Sequence, residues 1–99
     1  MPAWTFLTNH AHVLLCVARD PGARLRDVAG AVGITERAAQ KIVADLVDAG
    51  YLERERDGRR NRYHLHPELP LRHPMDHEHA IGEILGVFSA APAPPTSGD

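Results

Sequence analysis

The chain has 99 residues, 43% of them hydrophobic, and carries a formal net charge of −2 at pH 7. This length fits one small domain whose apolar residues fill a single core with little to spare, so a partner subunit would stabilise it. One cysteine excludes an internal disulfide, no signal-peptide pattern opens the chain, and no apolar run approaches the roughly 20 residues that span a bilayer. We therefore expect a soluble, cytoplasmic protein with no membrane partner.

Two helices are predicted in the first third of the chain. Thr8 is a good N-cap, and the helix that it opens should end at the Asp-Pro-Gly turn of residues 20–22. A short extended piece at residues 24 and 25 then leads to a second helix over about residues 26–32, whose apolar positions recur at helical spacing. Gly33 is expected to stop this helix because glycine accepts a positive φ.

A third helix is predicted over residues 35–49, with Thr35 as its N-cap. Its apolar residues fall at positions i, i+3, i+4 and i+7 and therefore form one buried stripe. The opposite face is polar, and it changes from basic and amide groups near the start to acids near the end. Only the first two turns are therefore suited to approach phosphates. The buried stripe consists of Ala39, Ile42, Val43 and Leu46.

A β-hairpin is expected after Gly50, which caps the third helix. Residues 51–56 and 62–66 are typical of strands, and the five-residue connection between them, residues 57–61, contains an Asp-Gly pair. Five arginines stand against two acids between residues 54 and 66. Because the net charge of the whole chain is negative, any affinity for polyanions should be local to this hairpin.

The chain after the hairpin predicts a connector, a helix and a tail. Three prolines make residues 67–74 extended, and Asp76 is a good N-cap for a last helix. Residues 90–99 are rich in proline and small residues and are expected to be disordered. The predicted fold is mainly α with a small β-hairpin (α+β): a winged helix-turn-helix over residues 1–75, and a C-terminal dimerisation helix over residues 76–89.

The terminal segments carry apolar side chains beyond a core that is already complete. The stripe of the last helix would lack a partner unless it packs back on the first helix or on another chain, and we expect a homodimer. The candidate dimer interface consists of Trp4, Phe6, Ile81, Ile84, Leu85 and Phe88.

DNA is the ligand that this order of elements favours. In a helix-turn-helix the second helix enters the major groove by its N-terminal end, where free N–H groups and the positive end of the helix dipole attract phosphate. Arg37 can donate two hydrogen bonds to guanine, Gln40 can pair with adenine, and Glu36 can accept from cytosine. The remaining candidates suit the backbone or the minor groove: Thr35 and Lys41 on the helix, and Arg59, Arg60 and Arg62 on the wing.

Residues 25–66 resemble the winged helix-turn-helix of small prokaryotic transcriptional regulators of the MarR and ArsR type. The matching pieces are LRDVAGAVGITERAAQKIVADLVDAGYL at residues 25–52 and ERERDGRRNRY at residues 53–63. The resemblance implies a homodimer whose recognition helices meet successive major-groove turns of a pseudo-palindromic operator in double-stranded DNA. The expected function is a sequence-specific transcriptional repressor. The chain is shorter than a typical MarR protein, so the ligand pocket of that family is not carried over and the effector stays unidentified.

Two alternatives stay open at this point. His73, His77 and His79 are competent ligands for zinc or a neighbouring transition ion, and a metal-responsive regulator would place its switch there. Pro74 interrupts their spacing, so no metal or other cofactor is assigned. A winged helix can also bind another protein in place of DNA. Enzymatic activity is not expected, because the chain has no nucleophile elbow, phosphate loop or paired catalytic carboxylates.

Overall fold

The computed structural model describes residues 4–89, and within that range it contains four helices and one antiparallel two-stranded sheet. The predicted disordered tail, residues 90–99, lies outside the described residues. The helices and the hairpin form a winged helix, which confirms the predicted mainly α fold with a small β-hairpin. The elements are α1 (Asn9–Arg19), α2 (Leu25–Val32), α3 (Glu36–Asp48), β1 (Leu52–Asp57), β2 (Arg60–Leu65) and α4 (Ile81–Ser89).

Two threonines fix where α1 and α3 begin, as predicted. The Thr8 hydroxyl accepts a hydrogen bond from the Ala11 N–H at 3.2 Å, and the Thr35 hydroxyl accepts one from the Ala38 N–H at 3.0 Å. Each bond satisfies a backbone donor that has no partner within the helix. Gly33 ends α2 with a φ of 88°, so the turn before α3 is defined on both sides.

The start of α2 differs from the prediction by one or two residues. Leu25 belongs to the helix, and the residue before it, Arg24, is the N-cap in an extended conformation. The carbonyl oxygen of Arg24 accepts hydrogen bonds from the N–H groups of Asp27 and Val28, both at 3.0 Å. Leu25 is half-buried against the core, and this packing favours its helical position over the predicted extended one.

The hairpin turn is tighter than predicted. Pairing continues to Asp57 opposite Arg60, so the loop contains only Gly58 and Arg59, and the predicted five-residue connection over residues 57–61 is wrong. Gly58 has a φ of 67°. Glycine at the first position of a two-residue loop allows one of the tight turns that match the twist of paired strands.

The last helix begins at Ile81, so the predicted start at Asp76 is wrong. Pro70 and Ala80 form an antiparallel bridge, and the Ile81 N–H donates to the Leu69 carbonyl at 2.8 Å. This pairing closes residues 71–79 into a loop, which leaves the helix no room to start earlier. Such a contact joins residues that are ten or more positions apart, and a local N-cap pattern does not report it.

The C-terminal helix packs back on α1 of the same chain. Ile81 and Leu85 are buried in the core together with Val13, Leu14 and Val17 of α1. Gly82 permits the approach, because a Cβ at this position would lie 2.8 Å from both the Cβ and the carbonyl oxygen of Pro67. Between residues 4 and 89, no helix has the length and apolar character needed to cross a membrane.

Candidate nucleic-acid interface

The polar face of α3 is open in the protomer. Its apolar stripe is buried against the other helices, and this burial fixes the rotation of the helix about its own axis. All five predicted contact residues on and before its first two turns are solvent-exposed: Thr35, Glu36, Arg37, Gln40 and Lys41. Within residues 4–89 no other segment covers these five side chains, so the first two turns of α3, which carry the positive end of the helix dipole, are open to a ligand.

Lys41 differs from its neighbours because it is paired within the protomer. Its Nζ donates to Asp45 Oδ1 at 3.0 Å, while His10 Nε2 donates to Asp45 Oδ2 at 2.8 Å. Hydrogen bonds from His10 and from Lys41 hold the pKa of Asp45 below its ordinary value of 3.8. The Lys41 side chain is still 76% exposed, so an exposed pair of this kind competes only weakly with a phosphate.

The hairpin has two faces with different charges. Directly opposite residues share a face, and the register places Asp57 opposite Arg60 and Glu55 opposite Arg62. Two of the three predicted wing arginines therefore face a carboxylate across the ladder. Arg59 lies in the turn itself and has no strand partner.

Arg54 and Arg56 lie on the other face of the hairpin, and the prediction did not select them. Their strand partners are Tyr63 and Asn61, neither of which is an acidic residue. This is the face that continues from the buried Leu52, and both arginines are exposed. The signal was present in the alternating Glu-Arg-Glu-Arg order of residues 53–56, because alternate residues of a strand point to opposite faces.

The hairpin is tied to the loop between α1 and α2. The Tyr63 N–H donates to the Pro21 carbonyl oxygen at 3.0 Å, and the Arg60 guanidinium donates to the carbonyl oxygen of Gly22. These bonds fix the base of the wing relative to the helices. The Arg60 side chain is therefore held by a hydrogen bond, whereas the Arg59 side chain makes no hydrogen bond or ion pair within the described part of the chain.

A cavity of about 730 Å³ lies at the opposite end of α3 from the DNA candidates. Leu14 of α1, Leu46 of α3 and Ile84 of α4 give it an apolar wall. Asp76 also lines it, and the Oδ1 atom of this residue is buried with no hydrogen-bond partner among the described residues. A buried acceptor without a donor costs roughly 1–3 kcal/mol.

The six residues predicted for the dimer interface differ in how far their own protomer buries them. Ile81 and Leu85 are buried in the core of their own protomer, and Ile84 is half-buried, so the expectation that the apolar stripe needs a second chain to cover it is corrected: α1 covers it. Trp4 and Phe6 are 68% and 91% exposed, with their rings edge to face at 4.9 Å. Other exposed apolar side chains are Met75, Val87 and Phe88.

The three histidines of the metal alternative are not brought together. His73 Nδ1 accepts the Met75 N–H at 3.0 Å, and His79 Nδ1 donates to Glu83 Oε1 at 2.8 Å. Across residues 4–89, no group of three or more His, Cys, Asp or Glu side chains is placed to hold a metal ion. The metal alternative that rests on His73, His77 and His79 therefore finds no support in this geometry, and His73 and His79 bond to local partners.

Comparisons with known proteins agree with this geometry. The sequence model of the MarR family matches residues 5–62. The crystal structure of the PcaV transcriptional regulator from Streptomyces coelicolor, in complex with its natural ligand, is similar with a TM-score of 0.55 and 26% sequence identity. The alignment covers 88% of this chain and 63% of PcaV, so the chain spans less than two thirds of the length of that regulator. No curated protein gives a match.

Proposed function

Because the chain belongs to the MarR family of transcriptional regulators, we propose that it binds a pseudo-palindromic operator in double-stranded DNA as a homodimer and represses transcription. One observation carries the proposal: the N-terminal half of α3 is exposed beside a hairpin that holds five arginines against three acids. Phosphate contacts from the arginines supply affinity, and base contacts from the helix supply sequence preference.

The proposed division of labour follows from side-chain chemistry and position. Arg37 and Gln40 lie about one helical turn apart on the exposed face of α3. In the major groove, the guanidinium of Arg37 pairs with guanine and the amide of Gln40 pairs with adenine. Thr35, Glu36 and Lys41 flank them, with Glu36 available to cytosine. Wing arginines follow the backbone or enter the minor groove beside it.

Selection of bound duplexes from a random pool tests this function. The expected result is enrichment of two related half-sites in inverted orientation, spaced by about one helical turn of 10 base pairs, which a symmetric dimer requires. The matched control is the Arg37→Ala, Gln40→Ala double variant, which keeps every wing arginine and should bind duplex DNA with no enrichment. Failure of the wild-type protein to retain any duplex at low salt would favour the protein-interaction alternative and refute the proposal.

The dimer is proposed to form through the apolar surface that the protomer leaves open. Trp4, Phe6 and Phe88 are exposed, and Phe6 borders the same cavity as the half-buried Ile84. Exposed aromatic side chains in such number on a small chain are typical of association surfaces. Two copies joined here would present two α3 helices to one duplex.

The cavity of about 730 Å³ is proposed as an effector site. PcaV is described with a natural ligand, and the cavity of this chain joins apolar walls to the Asp76 carboxylate. It also touches Asp45 and Asp48 in the second half of α3, so an occupant contacts the helix that carries the DNA residues. A small apolar molecule with a hydrogen-bond donor fits these features.

Thermal shifts with a set of small apolar compounds test this second proposal. Compounds that carry an amine or hydroxyl donor should raise the melting temperature of the wild-type protein, and the Asp76→Ala variant should lose that response. Equal responses in the two proteins would show that Asp76 does not recognise the compounds.

A further inference from the structure

A second cavity, of about 250 Å³, lies between the α1–α2 loop and the hairpin. Its walls come from both segments: Gly22 and Arg24 on one side, and Arg59 and Arg60 on the other. Three arginines therefore line one small space, and no acidic residue lines it. The larger cavity at the other end of α3 differs, because three carboxylates and one arginine line it.

Hydrogen bonds to backbone carbonyl oxygens hold the walls of this small cavity in place. The guanidinium of Arg60 donates to the carbonyl oxygen of Gly22, and the Tyr63 N–H joins the hairpin to Pro21. The cavity is therefore formed before any ligand arrives, and one of its three cationic groups is already oriented. Preorganised donors bind an anion with less loss of conformational entropy than mobile ones.

Asp57 and Asp20 do not pair with the other two cavity arginines, Arg24 and Arg59. Asp57 faces Arg60 across the strand ladder, and the Asp20 carboxylate accepts the Gly22 N–H at 3.2 Å. The side chains of Arg24 and Arg59 are exposed and make no hydrogen bond or ion pair with any residue between 4 and 89. Guanidinium groups that share a space repel one another, and a phosphate between them removes this repulsion and accepts two hydrogen bonds from each group that reaches it.

We propose that this cavity holds one phosphate group of the operator backbone and that Arg24 is a DNA-binding residue, an inference that rests on the proposed function. Arg24 is the N-cap of α2, and it is not one of the DNA-binding residues predicted from the sequence. Two of the three cavity arginines belong to the wing, so a strand that the wing follows passes the cavity mouth. The positive end of α2 adds to the attraction.

The salt dependence of DNA binding measures this contact. The logarithm of the association constant falls with the logarithm of salt concentration, and each neutralised phosphate contributes about 0.9 to the slope. Arg24→Gln should reduce the slope, by at most about 0.9, on both selected and random duplexes, because Arg59 and Arg60 remain beside the same phosphate. Arg26→Gln is the matched control, because Arg26 lies two residues further along the same helix, is exposed, and does not line the cavity.

A second variant and a second ligand separate the outcomes. Arg24→Lys keeps the charge but loses the planar fork, so it should keep the wild-type slope while binding several-fold more weakly. Circular dichroism melts identify any variant whose fold has changed. Inorganic phosphate, titrated at constant ionic strength into the free protein and followed by the NMR signal of the Arg24 side chain, reports binding of a free anion.

Each result decides the matter. A slope that falls in Arg24→Gln and not in Arg26→Gln supports the proposal. Equal slopes in these two variants, with wild-type DNA binding intact, overturn the phosphate cavity and leave the proposed function standing. A response to inorganic phosphate with no change in the DNA slope assigns the cavity to a free anion and overturns the operator contact. Absence of wild-type DNA binding overturns both proposals.

Discussion

Replacement of Gly82 by alanine should destabilise the protein by an amount that the geometry of α4 defines. A Cβ at this position would lie 2.8 Å from the Pro67 Cβ and 2.8 Å from the Pro67 carbonyl oxygen. Both atoms belong to a ring or to the backbone, so neither moves as easily as the end of a flexible side chain. The Gly82 N–H also donates to the same carbonyl at 2.9 Å, and relief of the clash would stretch this bond.

The expected magnitude is the difference between two opposing effects. Extra atoms in a packed contact cost roughly 1–3 kcal/mol. Alanine gains up to about 1 kcal/mol over glycine in a helix interior, and less near the first turn, where Gly82 lies. The net loss should be about 1–2 kcal/mol, which lowers the melting temperature of a domain of this size by roughly 5–15 °C.

Gly86→Ala is the matched control on the same helix. A Cβ at Gly86 meets nothing within 4 Å, so alanine should raise the free energy of unfolding by roughly 0.5–1 kcal/mol. Urea unfolding followed by circular dichroism measures both variants under identical conditions. If Gly82→Ala is as stable as the wild-type protein or more so, while Gly86→Ala is stabilised, α4 does not dock on Pro67 and its position in the fold is wrong.

Three further predictions concern DNA, association and pH. Arg37→Ala should weaken binding to the selected site by about 1–3 kcal/mol and relax the preference at one base position, whereas Arg59→Ala should weaken binding to all duplexes similarly. Fluorescence anisotropy with selected and random duplexes measures both variants. Equal losses of affinity for the two duplexes in both variants would contradict this prediction. Phe6→Ser combined with Phe88→Ser should convert a dimer to a monomer in sedimentation equilibrium, and an unchanged mass would exclude this interface. The Ala80 N–H and His79 hold the pKa of Glu83 below its ordinary value of 4.5, so its carboxylate stabilises the fold above that pH and loses this effect as the pH falls through the lower, folded-state pKa. Urea unfolding of Glu83→Gln should therefore show a stability deficit near pH 6 that shrinks near pH 3, and a deficit that stays constant would refute the assignment.

Local hydrogen bonds explain which parts of the fold the sequence predicts well. Thr8 and Thr35 each bind an N–H three residues ahead, so the start of α1 and α3 depends on neighbours that a short motif contains. Gly33 works in the same way, because its φ of 88° is a property of one residue. The exposed face of α3 follows from the spacing of its apolar stripe.

Contacts between distant residues explain the errors. The bridge of Pro70 with Ala80 moves the start of α4 from residue 76 to Ile81, and the packing of α4 on α1 buries Leu85, which the sequence assigns to a dimer interface. Pairing of His79 with Glu83 helps to keep apart the three histidines of the metal alternative. The register of the hairpin also decides which arginines face a carboxylate, and the strand and turn pattern of the sequence predicted no register.

The most direct test of the central claim is an NMR titration of the isotope-labelled protein with a duplex selected from a random pool. We predict that amide shifts concentrate at residues 35–41, at the hairpin turn around Arg59, and at Arg24. Shifts confined to α4 and the exposed aromatic residues, or no shifts with any duplex at low salt, would contradict it.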